Sequence, residues 1–211
     1  MSSVLDQLHA ARLVPVIALQ SADHAAPLAD SLLTGGLPVA EVTFRTAAAA
    51  ESIRIMSEKA GLLVGAGTVL KVDQVKQAVD NGAKFIVSPG FNPKVVGYCV
   101  ENNIPITPGT ANPTDIEMAL DFGLEVVKFF PAEAIGGIKT LKAFSAPYGM
   151  MRFIPTGGIT EANLKDYLSF PKVLACGGSW MVPGDKMAEG KFDEVTALIE
   201  SAVALAKSIR P

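Results

Sequence analysis

Short apolar runs alternate with helical patterns along the whole chain, and this alternation constrains the fold more than any other sequence feature. The runs are nearly continuous, which is typical of parallel strands covered by helices on both faces. The predicted strands are Val14–Leu19, Ala40–Phe44, Leu62–Thr68, Phe85–Pro89, Pro105–Gly109, Val126–Pro131, Phe153–Gly157 and Val173–Gly178. The predicted helices are Ala22–Thr34, Ala47–Lys59, Val72–Asn81, Pro93–Asn102, Pro113–Phe122, Ile138–Phe144, Glu161–Ser169 and Phe192–Ser208.

Strands that alternate with helices indicate consecutive βαβ units. A chain of 211 residues with eight such units matches the lower size limit of a (β/α)8 barrel. We therefore predict one α/β domain over residues 1–211, a TIM barrel with an extra N-terminal helix whose apolar side includes Leu5 and Leu8. A doubly wound open sheet is the alternative, although no Gly-x-Gly-x-x-Gly turn follows the first strand.

Composition and charge argue against several classes of partner. The formal net charge is −3 and no basic run exists, which disfavours nucleic acid and anionic membranes. No apolar run approaches the roughly 20 residues that a membrane span needs. Asp6, His9 and Arg12 interrupt any signal-peptide core near the start of the sequence. These observations therefore predict neither a membrane span nor a signal peptide.

Few residues are available for metal or triad chemistry. His9 and His24 are the only histidines, so neither a histidine-based metal site nor a Ser–His–Asp triad has enough candidates. Cys99 and Cys176 lie far apart and lack metal-ligand spacing. We expect no metal and no other cofactor, and we interpret the cysteines as buried free thiols.

Polar residues stand where a barrel carries its chemistry, at the carboxyl ends of strands. In the second strand Glu41, Thr43 and Arg45 share one face because side chains alternate in a strand. If that face points inward, a carboxylate and a guanidinium lie near the mouth of the barrel. A purely structural ion pair is the alternative interpretation.

Lys128 is the strongest single signal, because it is isolated in the apolar run Val126–Pro131. Burial opposes the charged form of an amine, and a desolvated neutral amine is the nucleophile of Schiff-base enzymes. The alternative is a structural lysine that pairs with Glu41 or extends to solvent.

Glycine pairs end the last two strands, in Thr156-Gly157-Gly158 and Gly177-Gly178-Ser179. Barrels commonly bind phosphate at these two loops, where backbone N–H groups and the Ser179 hydroxyl are available as donors. The third strand ends at Gly67-Thr68, and the Thr68 hydroxyl is a candidate donor to a carboxylate. Pro89, after the fourth strand, is interpreted as rigid pocket wall. Ordinary turn chemistry is the alternative for each motif taken alone.

Taken in order, these motifs resemble the family of 2-keto-3-deoxy-6-phosphogluconate (KDPG) aldolase, which includes 4-hydroxy-2-oxoglutarate aldolase activity. The resemblance covers nearly the whole chain. Its specific pieces are Glu41-Val42-Thr43-Phe44-Arg45-Thr46, Gly65-Ala66-Gly67-Thr68-Val69, Ser88-Pro89-Gly90, Lys128-Phe129-Phe130-Pro131-Ala132-Glu133 and Pro155-Thr156-Gly157-Gly158-Ile159.

The resemblance implies a class I aldolase of the Entner–Doudoroff pathway that cleaves KDPG to pyruvate and glyceraldehyde 3-phosphate, as a cytoplasmic homotrimer needing no metal. It places the Schiff-base amine on Lys128 and the acid/base role on Glu41. It assigns the pyruvate contacts to Arg45, Thr68, Pro89 and Phe130, and the phosphate and hydroxyl contacts to Thr156, Gly157, Gly158 and Ser179. Some relatives carry an arginine at the end of the first strand, where this chain reads Ile17-Ala18-Leu19.

Three other functions remain open at this point. The first is a sister aldolase acting on the galactonate-derived epimer, although Thr156 resembles the gluconate form. The second is a phosphate-binding isomerase or synthase that uses Glu41 and Lys128 without a covalent intermediate. The third is a non-catalytic binder of a phosphorylated sugar acid.

Overall fold

The computed structural model describes residues 3–210, so residues 1, 2 and 211 of the predicted domain lie outside the described residues. In the first half, the elements are α1 (Val4–Ala11), β1 (Leu13–Ile17), α2 (Ala25–Thr34), β2 (Val39–Thr43), α3 (Ala49–Ser57), β3 (Leu63–Gly67), α4 (Val72–Asp80), β4 (Phe85–Val87) and α5 (Pro93–Glu101). In the second half, they are β5 (Ile106–Thr107), β6 (Gly109–Thr110), α6 (Pro113–Asp121), β7 (Val126–Phe129), α7 (Gly137–Ser145), β8 (Arg152–Pro155), α8 (Leu164–Leu168), β9 (Cys176–Gly178), α9 (Gly184–Ala188) and α10 (Phe192–Ile209).

The strands form a curled, parallel arrangement, which confirms the predicted α/β class. Six strands pair in the order β5-β4-β3-β2-β1-β9, and three pair in the order β6-β7-β8. All the strand pairs in these two sheets are parallel. Two isolated parallel bridges join the region of β8 to β9 and to the segment that leads into it: Phe153 of β8 pairs with Val173, and Thr156, just after β8, pairs with Gly177 of β9.

The fifth predicted strand, Pro105–Gly109, is interrupted in the structure. Pro108 separates β5 from β6 because its ring nitrogen has no hydrogen to donate to a strand ladder. Its carbonyl still accepts a hydrogen bond from the Lys128 backbone N–H, at 2.9 Å. The chain therefore passes from one sheet to the other at this proline while remaining beside β7.

One predicted helix has a different start in the structure, and one helix was not predicted. The predicted helix Glu161–Ser169 begins only at Leu164, because the Asn163 side chain accepts the Thr160 N–H and donates to the Gly158 carbonyl, which holds a turn. The short helix α9 was not predicted from the sequence, since its five residues are too few to establish a helical period.

The N-terminal helix α1 is present, and it lies against the amino ends of the strands. Ser3 and Asp6 form a capping box that satisfies backbone donors at its start. Its Leu8 is buried in an apolar cluster with residues from several strands. The members of that cluster are Leu8, Val14, Val39, Leu63, Phe85, Val87, Val126, Ile154, Leu174 and Ala175. This cluster fills the space between the strands at the end opposite their carboxyl termini.

One glycine makes this inner packing possible. A Cβ atom at Gly65 would lie 2.3 Å from the Phe85 ring, well inside van der Waals contact. Phe85 is almost fully buried, so glycine at position 65 supplies the space that the ring occupies. The apolar filling therefore depends on a small residue in β3 facing a large one in β4.

One expectation from composition, the state of the cysteines, has a structural counterpart. Cys99 and Cys176 are both free and buried, as predicted. Burial raises the pKa of the Cys99 thiol to about 12. Among residues 3–210, no helix combines the length and the apolarity that a membrane crossing requires.

The burial pattern predicts that substitution of two methionines changes the free energy of unfolding by very different amounts. Met56 in α3 is fully buried, whereas Met150 is 64% exposed. Met56→Ala should lower the free energy of unfolding by about 2–5 kcal/mol because it leaves a cavity in the core. Met150→Ala, the matched control, should change it by no more than about 0.5 kcal/mol. Urea denaturation measures both values, and equal effects would contradict the described packing.

Candidate active site

A cavity of about 290 Å³ opens at the carboxyl ends of the strands. Every site residue predicted from the sequence lines it: Glu41, Arg45, Thr68, Pro89, Lys128, Phe130, Thr156, Gly157, Gly158 and Ser179. Val16, Ile159 and Gly178 complete the lining. Gly178 belongs to the Gly177-Gly178-Ser179 loop predicted to bind phosphate, whereas no site role was predicted for Val16 or Ile159. The apolar side chains of these two residues give no sequence signal that distinguishes pocket wall from core.

Lys128 and Glu41 form the centre of the cavity. Lys128 projects from β7 and Glu41 from β2, and Lys128 Nζ lies 3.5 Å from Glu41 Oε1. Their side chains are 7% and 3% exposed. The amine also lies 5.0 Å from the centroid of the Phe130 ring, within cation–π range. An amine and a carboxylate are thus held together where water has little access.

Gly67 makes room for the Glu41 carboxyl group. A Cβ atom at this position in β3 would lie 2.3 Å from Glu41 Oε1. The parallel register sets Glu41 beside Gly65 and Thr43 beside Gly67, so two glycines of β3 face the functional side of β2. In the Gly65-Ala66-Gly67 motif, Gly67 therefore leaves space for the Glu41 carboxyl group and Gly65 leaves space for the Phe85 ring.

A small space lies beneath the amine, toward the interior. It has a volume of about 10 Å³, and its polar lining consists of Glu41, Lys128, Thr107 and Thr156. That volume is on the scale of one water molecule, and four polar partners match what buried waters require. Thr107, at the end of β5, is not among the site residues predicted from the sequence.

Arg45 extends from the turn after β2 to the rim of the cavity. Its Nε donates to Thr43 Oγ1 at 3.0 Å, and the Thr43 hydroxyl donates to the Ile17 carbonyl at 2.7 Å. Arg45 makes no ion pair with any carboxylate in the described part of the chain. The Thr43 hydroxyl therefore orients the Arg45 guanidinium through Nε, and the remaining N–H donors of the guanidinium are available to a bound anion. The structural ion pair between Glu41 and Arg45, considered above, does not form.

Thr68 stands beside this rim in an unusual backbone conformation. Its φ is +55°, in the left-handed region that a β-branched residue rarely adopts. Such local strain concentrates at functional sites, where the surrounding structure enforces it. The Val69 N–H bonds to the Val87 carbonyl at 3.1 Å, which fixes the turn after β3 to β4.

The opposite side of the cavity is made of backbone. Gly157 and Gly158 both have positive φ values, +96° and +81°, a conformation that favours glycine. Within residues 3–210, the N–H groups of Gly158, Ile159 and Ser179 have no hydrogen-bond acceptor. Successive free amides of this kind form an anion-binding concavity. The described lining of this side contains no lysine or arginine, so donors rather than opposite charge would hold an anion here.

A second cavity, of about 300 Å³, lies at the amino ends of the strands near Arg12, Pro38 and Lys207. It carries no nucleophile paired with an acid or base, and this face of a barrel normally serves stability.

No group of three or more His, Cys, Asp or Glu side chains suited to a metal ion occurs between Ser3 and Arg210.

Comparison with known proteins gives a consistent result. The family model described as KDPG and KHG aldolase matches residues 4–198. A 2-dehydro-3-deoxy-phosphogluconate aldolase from Treponema pallidum (strain Nichols) is 51% identical over 206 residues, which cover 97% of this chain and 98% of that protein.

Two solved structures are also similar to the chain. The 2-keto-3-deoxy-6-phosphogluconate aldolase of Zymomonas mobilis ZM4, solved with 3-phosphoglycerate, superposes with a TM-score of 0.90 at 41% identity, covering 96% of each chain. The KDPG aldolase of Legionella pneumophila, with pyruvate captured as a covalent carbinolamine, gives a TM-score of 0.91 at 35% identity, covering 95% of this chain and 98% of that one. With the family model spanning most of its length and relatives matching it from end to end, the chain belongs to the KDPG and KHG aldolase family.

Proposed function

We propose that this protein is a class I aldolase that cleaves KDPG to pyruvate and glyceraldehyde 3-phosphate in the Entner–Doudoroff pathway, and that it also acts on 4-hydroxy-2-oxoglutarate. The observation that carries the proposal is the buried pair of Lys128 Nζ and Glu41 Oε1, 3.5 Å apart at the floor of the cavity. A desolvated amine beside a carboxylate supplies both a nucleophile and a proton carrier. The related Legionella enzyme with a pyruvate carbinolamine supports the same chemistry.

The reaction begins when Lys128 Nζ, as the free amine, attacks the C2 ketone of the substrate. Glu41 transfers the protons that the carbinolamine needs in order to lose water, and a protonated imine remains. The imine is an electron sink adjacent to C3. No metal or other cofactor is needed for these steps, because the positive nitrogen itself withdraws the electrons.

Cleavage follows when Glu41, directly or through a water, takes the proton of the C4 hydroxyl. The C3–C4 bond breaks, its electron pair moves toward the imine nitrogen, and an aldehyde leaves. The enamine that remains takes up a proton at C3, and water then hydrolyses the imine to release pyruvate and regenerate the Lys128 amine. Proton transfer by a positioned carboxylate contributes roughly 10²–10⁴-fold to such rates.

Arg45 and Thr68 bind the substrate carboxylate in this proposal, and Pro89 and Phe130 form the walls around the pyruvate portion. The Arg45 guanidinium has no carboxylate partner among the described residues and matches a carboxylate with paired donors. This contact fixes the ketone beside Lys128, and such positioning lowers the barrier for attack.

The phosphate and hydroxyl groups occupy the backbone side of the cavity, against Thr156, Gly157, Gly158 and Ser179. The free N–H groups of Gly158, Ile159 and Ser179 support this assignment, as does the Zymomonas relative solved with 3-phosphoglycerate. The chain lacks an arginine after β1, so amides rather than a guanidinium would bind the phosphate from that side.

We further infer that the two sheets form one closed (β/α)8 barrel, with α1 as an extra helix, in a single domain over residues 1–211. The parallel bridges from Phe153 to Val173 and from Thr156 to Gly177 of β9 support closure on one side. On the other side, β5 and β6 are continuous in the chain through Pro108. Contact of α10 with α2 supports one folding unit, since it joins the two ends of the sequence.

A cytoplasmic homotrimer is the assembly that we propose. Among the described residues, the exposed large apolar side chains include Leu70, Val79 and Val100, which lie within one stretch of the chain around α4 and α5. Burial of such side chains between subunits is a common reason for their exposure in a single chain. The net charge of −3 is also compatible with a protein that does not associate with nucleic acid or anionic membranes.

The rival functions are less well supported. An isomerase that uses Glu41 and Lys128 without a covalent bond shares the fold type, but the family to which this chain belongs consists of aldolases. The galactonate-specific form is not favoured, because the Treponema relative at 51% identity is named for the gluconate substrate.

Lys128 should form a covalent adduct with pyruvate that borohydride traps, and peptide mass spectrometry should locate it. Lys128→Met should abolish both the adduct and KDPG cleavage, because no other described lysine lines the cavity. Lys142→Met is a matched control: that amine also lies over a phenylalanine ring, Phe170 at 5.8 Å, but outside the cavity. A folded, fully active Lys128→Met variant would contradict the proposal.

Glu41→Gln should reduce kcat for KDPG cleavage by roughly 10²–10⁴-fold, because the amide cannot carry protons. The pyruvate adduct should still accumulate on long incubation, since the Lys128 amine is retained. Glu117→Gln changes an exposed glutamate bonded to Tyr148, and it should leave kcat unchanged. Steady-state kinetics with circular dichroism tests this expectation, and an unaltered kcat in the folded Glu41 variant would contradict the assigned role.

The proposed trimer has a direct test in solution. Since one chain has a mass of 22.0 kDa, sedimentation equilibrium should give three times that value across the micromolar range. Introducing a charge with Val100→Glu should shift the distribution toward smaller species if this surface is covered. A monomer at all concentrations would refute the proposed assembly.

A further inference from the structure

We propose that Tyr167 and Glu133 form a positioning pair that shapes the Gly157-Gly158 loop and turns the Glu133 carboxylate away from the bound phosphate. This inference rests on the proposed function, because it concerns how the aldehyde half of the substrate is recognised. Neither residue lines the cavity, so neither is expected to touch the reacting atoms.

Glu133 contacts the loop through its backbone and its side-chain stem. Its N–H donates to the Gly157 carbonyl at 3.0 Å, and the Ala132 N–H donates to the Thr156 carbonyl at 2.8 Å. A Cβ atom at Gly158 would lie 2.7 Å from Glu133 Cβ and Cγ, so the stem packs directly on that glycine. The segment after β7 is thus the support on which the glycine pair rests.

Tyr167 anchors the far end of the same side chain. This α8 tyrosine is 1% exposed, and its hydroxyl donates to Glu133 Oε1. A Cβ atom at Gly137, the first residue of α7, would lie 2.9 Å from Glu133 Oε1 and 3.1 Å from the Tyr167 hydroxyl oxygen. One oxygen of the carboxylate therefore lies between α7 and α8, at the opposite end of the side chain from Gly158, while the residue as a whole is exposed.

The orientation of the Glu133 carboxylate matters for phosphate binding because the group is negatively charged. No lysine or arginine within residues 3–210 forms an ion pair with it, so its negative charge is not neutralised by a cation. A carboxylate that moved toward Gly158 would face a phosphate dianion that is itself held without a nearby cation. Like charges at short range in a partly desolvated site oppose binding.

The tyrosine remains a donor under all ordinary conditions. Burial, followed by the Glu133 carboxylate, raises the pKa of the Tyr167 hydroxyl above its usual value. The phenol therefore keeps its proton and continues to donate to Glu133. A hydrogen bond to a charged acceptor is stronger than one between neutral groups, which suits it to holding an otherwise mobile carboxylate.

The experiment follows condensation of pyruvate with glyceraldehyde 3-phosphate and, in parallel, with unphosphorylated glyceraldehyde. Tyr167→Phe retains the ring but releases the carboxylate, so KM for the phosphorylated aldehyde should rise on the order of tenfold. KM for glyceraldehyde and the extent of borohydride trapping of pyruvate on Lys128 should stay unchanged. Tyr148→Phe is the matched control, because Tyr148 also donates to a glutamate, Glu117 at 2.7 Å, but on the exposed surface.

A double variant separates charge from shape. Tyr167→Phe combined with Glu133→Gln should recover most of the affinity for glyceraldehyde 3-phosphate, because the released group is then neutral. An unchanged KM in Tyr167→Phe, an equal rise for both aldehydes, or no recovery in the double variant would each overturn the inference. Failure of the wild-type protein to trap pyruvate would instead overturn the proposed function, so the two results are distinguishable.

Discussion

The rest of the site depends on keeping an amine and a carboxylate together in an apolar interior. Lys128 and Glu41 are both nearly inaccessible to water, and each is the other's ion-pair partner at 3.5 Å. Burying two charges costs free energy that their attraction offsets only with good geometry, so such a pair is weak evidence for stability. Its position at the floor of a cavity, with Gly67 leaving space for the carboxyl group, is better explained by chemistry than by folding.

The cavity around this pair has two unlike halves. On one side, Arg45 offers a full positive charge that is oriented by Thr43. On the other side, the contribution is backbone geometry, since Gly157 and Gly158 adopt positive φ values that expose amides. The same parallel α/β architecture thus combines a side-chain donor suited to a carboxylate with main-chain donors suited to a second anion.

Sequence reasoning located the strands and the cavity lining because both follow from strong local rules. The apolar runs predicted the parallel sheet, and the sequence spacing predicted that Glu41 and Arg45 lie on one functional side, where Glu41 projects from β2 and Arg45 from the turn after it. A lysine isolated among large apolar residues was similarly conspicuous. These signals lie in consecutive residues, so one sequence is enough to detect them.

Other features depend on contacts between distant segments, which local patterns do not encode. The contact of Tyr167 with Glu133 joins α8 to the segment after β7, and nothing near either residue predicts it. The structure divides the predicted strand Pro105–Gly109 at Pro108. The sequence pattern predicted one continuous strand because it gave a single proline too little weight. Val16 and Ile159 line the cavity, yet their side chains are indistinguishable in sequence from those of the core.

The main-chain character of the proposed phosphate side bears on how specificity in this protein can evolve. A substitution removes a side-chain donor at once, whereas the amides of Gly158, Ile159 and Ser179 persist for every encoded residue except proline, which has no N–H. Otherwise such donors are lost only when the loop itself changes shape, and the positive φ at Gly158 makes that position the most sensitive. An anion site built from such amides is therefore robust to most single substitutions, and new preferences would arise more readily through insertions or altered loop support than through exchange of contact residues.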